Sequence, residues 1–219
     1  MQPPSPVLAA ASPAEEDLAA VREAGEGAAL FASGKYDLAQ KTFSRILARR
    51  PDDSQARLYY AASLYRANPG DTTRYVQVEK NLQAVLDADP RNVLALDTLS
   101  MMEVERGRWP DALAHLWQLL ALQPENTRFL KAAGYCALKV GDPAAAHQEF
   151  HAAARLSPSD VEALTSLGDC EWTLGEAADA QASWKAALAL LDPGSPAGAR
   201  ASTELRVKLA RTGFAEGDR

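Results

Sequence analysis

His147 and His151 are four residues apart, one helical turn, so on a helix their imidazoles share a face and could jointly ligate a metal ion. The zinc-protease pattern requires a glutamate directly after the first histidine. Here Gln148 occupies that place and Glu149 follows it. The remaining histidine, His115, is not spaced to complete a ligand set, so all three are expected to be exposed surface histidines and no metal is expected. Cys136 and Cys170 would act as nucleophiles only beside a base. Both read as packed mid-helix positions, where a thiol behaves as a small hydrophobe. No glycine loop is patterned to cradle phosphate, and the acidic pairs Glu15-Glu16 and Asp52-Asp53 fall at helix ends. The chain therefore reads as non-catalytic, with no cofactor.

The elements that carry these residues are written in a repeat. Gly107, Gly141 and Gly175 recur every 34 residues, as do Ala112, Ala146 and Ala180, and Leu116, Phe150 and Trp184. Pro90, Pro124 and Pro158 keep the same step. A period of this length marks a helix pair that cannot bury its apolar face alone and must stack on copies of itself. Small helix-A residues (Ser100, Gly134, Gly168) and the helix-B alanines face the bulky Leu116, Phe150 and Trp184, so the paired helices interdigitate. The two cysteines are also one period apart. Equivalent positions in stacked helices are at least about 8–10 Å apart, too far for a disulfide, so two free buried thiols are expected.

Taken in combination, these positions resemble the tetratricopeptide repeat family over roughly residues 17–211, with Glu103 and Glu171 standing where the family prefers tyrosine. The resemblance implies an all-α, right-handed α-solenoid of about five helix-turn-helix repeats plus a C-terminal capping helix. The expected repeats are residues 17–53, 54–92, 93–126, 127–160 and 161–194. Gly34 and Gly107 are 73 residues apart, five more than two periods, and the excess falls in Asn68-Pro69-Gly70-Asp71-Thr72-Thr73-Arg74. Asn-Pro-Gly-Asp is a turn signal, and Asp71 or Thr72 can cap the next helix. Such a loop is either a longer turn or an added contact surface. Ser195-Pro196 opens the capping helix over residues 195–211, with Ala201, Leu205 and Leu209 inward and Lys208 toward water. Residues 212–219 read as a tail, and so do 1–16, rich in proline, alanine and serine. The apolar run Val7 to Ala11 lacks the basic flank and length of a secretory signal.

In this family the A helices line a groove that holds a segment of another polypeptide. Carried over residue by residue, the resemblance places Phe31, Leu58, Tyr65, Leu94, Met101, Val104, Arg128, Lys131, Tyr135, Leu138, Lys139 and Trp172 there. Asp97, Glu162 and Asp169 fall beside them. Phe31, Tyr65, Val104, Leu138 and Trp172 are equivalent positions and would form an apolar stripe. Arg128, Lys131 and Lys139 would form a small basic patch able to take a carboxylate. The family's clamp for a chaperone's C-terminal carboxylate uses lysine, asparagine and arginine. The corresponding places carry Ala24, Ala28, Leu58 and Thr98, so that clamp is lacking.

Bulk composition bounds the partner. The 219 residues are 47% hydrophobic, with 29 acidic and 23 basic side chains and a formal net charge of −6. A mildly acidic chain without a basic run is a poor nucleic-acid binder. No apolar run reaches the length of a bilayer span, so no membrane insertion is expected. The expectation is a protein-protein interaction module that binds an extended or helical partner segment: an adaptor, assembly factor or chaperone-like holder. The alternative is a self-associating scaffold. The expected compartment is cytoplasmic, or periplasmic or membrane-tethered if the native chain starts upstream of Met1.

Overall fold

The computed structural model describes residues 13–192 and 194–217. Among these are eleven α-helices and one 3₁₀ turn: α1 (Pro13–Ala32), α2 (Tyr36–Arg49), α3 (Ser54–Ala67), η1 (Thr72–Arg74), α4 (Tyr75–Ala88), α5 (Val93–Glu105), α6 (Trp109–Leu122), α7 (Thr127–Val140), α8 (Pro143–Leu156), α9 (Val161–Thr173), α10 (Ala177–Ala189) and α11 (Pro196–Gly217). The fold class is all-α and of the α-solenoid type, five helix pairs followed by a single helix. The chain divides into two compact units, Met1–Thr98 and Leu99–Arg219, with the division inside α5.

Helix boundaries follow from cap chemistry. The carboxylate or amide oxygen of Asp53, Asn92, Asn126 and Asp160 accepts from the backbone N–H three residues on, at 2.8, 3.1, 3.4 and 3.0 Å. These side chains satisfy donors that the first helical turn leaves unpaired. Between the helices of four pairs the chain turns through Gly34, Gly107, Gly141 and Gly175 at φ from 69° to 90°, a conformation that side chains other than glycine rarely adopt. The second pair also turns through a glycine, Gly70 at φ 81°, and there the inserted residues build the one-turn η1 as well. The Asp71 side chain accepts from the Thr73 N–H at 3.1 Å, and α4 then starts at Tyr75.

Packing within pairs is small against large. A Cβ built on Gly27 would stand 2.8 Å from the Phe43 ring, and one on Gly134 would stand 2.8 Å from Phe150. On Gly168 it would stand 2.6 Å from Trp184. Each ring is almost wholly buried. The missing side chain lets the two helices approach closely enough for the ring to lie against backbone.

In the N-terminal unit Phe43, Ile46, Ala39 and Ala56 form a core extended by Leu30, Phe31, Tyr59 and Tyr60. In the C-terminal unit Ala180, Trp184, Ala187 and Leu205 are joined by Val161, Leu164, Leu188, Leu191 and Leu209.

Three expectations about the ends are corrected. Pro13 through Glu16 belong to α1 rather than to a tail, because the alanines and acids there are good formers of a first turn; residues 1–12, including Val7 to Ala11, lie outside the described residues. Helix α11 continues past Arg211 to Gly217, and Thr212 is fully buried, its hydroxyl accepting from the Gln181 amide at 2.8 Å. Lys208 does not face water: its ammonium donates to both Asp169 carboxylate oxygens at 2.8 Å, fastening the last helix to α9. Ser195 does cap α11, accepting from the Gly198 N–H at 3.0 Å.

Candidate functional site

Both thiols are free and buried, and burial pushes each up to about 11, so neither is a thiolate near neutrality. Among the described residues no group of three or more histidine, cysteine or acidic side chains is placed to hold a metal. Among the same residues no helix is long and apolar enough to cross a membrane.

The histidines are not all surface residues. His151 is exposed, but His115 and His147 are half-buried. His115 Nδ1 is 2.8 Å from Glu103, and His147 Nε2 is 3.9 Å from Glu171. Glu103 and Glu171 are the two acids that replace tyrosine, so a buried polar pairing has taken the place of an aromatic contact. Burial raises the Glu171 carboxyl above the ordinary range, against smaller opposing effects of Ser183 and His147. Its Oε2 has no hydrogen-bond partner among the described residues. An acid raised on folding makes the folded state less stable above that raised value, and the deficit vanishes as pH falls through it. Glu171→Gln is therefore expected to stabilise the chain by about 1 kcal/mol at pH 7. The gain should shrink as pH is lowered into the carboxylate range; thermal melts at pH 7 and pH 4.5 check it.

The twelve expected groove residues divide by unit. In the N-terminal unit, Leu58 and Tyr65 are buried, 8% and 3% exposed, and offer no contact surface, contrary to expectation. The Tyr75 ring centroid is 6.3 Å from that of Tyr65. Phe31 is half-buried, edge-on to Tyr36 and Tyr59 at 5.3 and 5.4 Å, with the Arg66 guanidinium 5.9 Å from its ring. Leu94 is half-buried. This is a closed aromatic cluster rather than an open face.

The C-terminal unit keeps an open face on α7 and α9. Met101, Val104 and Leu138 are half-buried, whereas Tyr135 is 44% and Trp172 36% exposed. The apolar stripe of equivalent positions is thus uneven, and only Trp172 among its five members is exposed. Tyr135 stands edge-on to Trp109 at 5.7 Å, and Trp172 leans on buried Trp184 at 6.1 Å. Both exposed rings are held from behind by other aromatics, which limits the rotamer freedom lost on contact with a partner.

The basic patch is only partly available. Lys131 is bound by Asp160 at 2.9 Å and Glu162 at 2.5 Å. Burial alone would lower the Lys131 ammonium, but those two carboxylates hold it above the usual lysine range. Arg128 lies over Phe129 at 4.5 Å. Lys139 is exposed, its ammonium 5.2 Å from the Tyr135 ring and 5.9 Å from Trp109. Reading of the sequence missed Trp109 as a member of this face, although its place just after the turn glycine Gly107 is where Tyr36 sits in the first pair.

The tetratricopeptide repeat family profile matches residues 25–71 and 137–196. A tetratricopeptide repeat-containing protein of Caenorhabditis elegans, trd-1, is 29% identical over 134 residues, covering 61% of this chain and 16% of that protein. The Arabidopsis thaliana protein CTR9 homolog is 34% identical over 96 residues, 42% of this chain and 9% of its own length. The chain thus spans under a fifth of either relative. Among solved structures, a MamA structure superposes with a TM-score of 0.70 at 20% identity, covering 82% of this chain and 94% of its own. Pseudomonas aeruginosa PilF superposes with a TM-score of 0.64 at 18% identity, covering 91% and 90%. At these identities the likeness is one of fold.

Proposed function

The chain belongs to the tetratricopeptide repeat family, a family of protein-interaction scaffolds, and from that premise we propose that it binds an extended or helical segment of a partner protein along α7 and α9 without catalysing a reaction. It would serve as an adaptor, an assembly factor or a chaperone-like holder. The observation that carries this reading is the pair of exposed aromatics, Tyr135 and Trp172, each braced by a second aromatic ring. Large aromatic side chains exposed on otherwise polar helices are the residue types that anchor partners. The test is affinity capture with the wild-type chain beside a Tyr135→Ala, Trp172→Ala variant. A protein recovered with the first and lost with the second supports the reading; equal recovery removes the face from consideration.

One observation favours a second reading, self-association. Leu18 and Val21, three residues apart on α1, are 63% and 68% exposed. A second copy could cover them, and light scattering over a concentration series distinguishes a monomer from such an assembly.

A further inference from the structure

We propose that the segment bound on α7 presents a side-chain carboxylate to Lys139 and Tyr135, flanked by apolar residues. This deepens the reading of α7 and α9 as the partner face and rests on it.

Three features converge. First, of the two lysines on α7, Lys139 is the one left without a carboxylate among the described residues. Lys131 is neutralised by Asp160 and Glu162, and Lys208 by Asp169 and Glu204. Among the described residues Lys139 makes no ion pair, in a chain whose acidic groups outnumber its basic ones 29 to 23. Second, its ammonium is placed rather than free, 5.2 Å from the Tyr135 ring and 5.9 Å from that of Trp109. Ring faces attract a cation but do not neutralise it. Third, the Tyr135 hydroxyl has no hydrogen-bond partner among the described residues, so a neutral donor stands on the same exposed residue the cation overlies. An ammonium and a phenol on one patch suit a carboxylate, which accepts from both.

The surrounding chemistry selects against the alternatives. At Lys139 itself a basic side chain would be repelled, and an apolar one would leave the ammonium without a counter-charge. In an extended segment alternate side chains lie on one face. An acid and an apolar residue in alternation therefore give Lys139 its counter-charge and set the apolar neighbours against the aromatic rings.

Fluorescence anisotropy with the full chain and three labelled twelve-residue peptides tests this: alternating Asp-Leu, Ser-Leu and Lys-Leu. Asp-Leu is expected to bind about tenfold tighter than Ser-Leu at low salt, with Lys-Leu weakest, and 0.5 M salt should erase most of that preference. Lys139→Gln should abolish the preference for Asp-Leu over Ser-Leu, and Tyr135→Phe should reduce it about threefold. Equal binding of Asp-Leu and Ser-Leu, or a preference that survives Lys139→Gln, overturns the carboxylate proposal. If Ser-Leu binding still falls in Trp172→Ala, the face itself stands. If Trp172→Ala changes no peptide, or no peptide binds, both are overturned.

Discussion

Replacing Trp184 with alanine is expected to destabilise the C-terminal unit by about 3–5 kcal/mol, the range for emptying a buried large aromatic site. Trp184 is 2% exposed and belongs to the cluster that includes Leu205 of α11. Its indole Nε1 donates to Asp169 at 3.0 Å and to the Thr165 carbonyl at 3.3 Å. The same carboxylate takes both bonds from Lys208, so the substitution also loosens the fastening of the last helix. Gly168 lies against the ring and has no side chain with which to fill the void. For a chain of this size the loss corresponds to a Tm lowered by roughly 10 °C. Trp184→Phe keeps most of the volume and should lose less than half as much. A melt in which Trp184→Ala unfolds within 2 °C of wild type would contradict the packing described.

The second large effect has the opposite chemistry. Gly134→Val should cost about 3 kcal/mol, because a Cβ at that position starts 2.8 to 2.9 Å from three atoms of the Phe150 ring. Phe150 is itself 3% exposed. The milder Gly134→Ala gains about 1 kcal/mol of helix propensity but is expected to remain destabilising. Gly25, on α1, has nothing within 4 Å of its built Cβ. Gly25→Ala should therefore stabilise by roughly 0.5–1 kcal/mol. The same change at two helical glycines is thus expected to have opposite signs, and denaturant midpoints of the two variants decide it.

The contrast between those glycines shows what was legible in the sequence. The period located the pairs, the turns and the small-on-large crossings, because these depend on residue type at fixed spacing. It placed the inserted residues in Asn68–Arg74, although Asp71, read as a cap of the next helix, caps the 3₁₀ turn η1 and α4 starts later, at Tyr75. What spacing does not carry is exposure. Tyr65 and Trp172 are equivalent by period, yet Tyr65 is buried with Tyr75 near its ring, whereas Trp172 leans on Trp184 and keeps an open side. Nor does spacing show charge pairing across a repeat. Lys131 read as a free cation until Asp160 and Glu162, 29 and 31 residues on, were placed beside it. Lys208 read as solvated for the same reason. The alanine-rich start of α1 was mistaken for a tail because it lacks apolar periodicity, although alanine needs none to be helical.

The central claim is that a partner rests on α7 and α9. It is tested most directly by the affinity of the captured partner for three forms of the chain: wild type, Tyr135→Ala with Trp172→Ala, and Leu156→Ser. Leu156, on α8, is 43% exposed and serves as a control of similar character away from the proposed face. The account predicts a Kd raised at least about tenfold by the first variant and unchanged by the second, with Tm values of all three confirming that they are folded. A Kd that rises only for Leu156→Ser would contradict it and move the partner to the opposite helices.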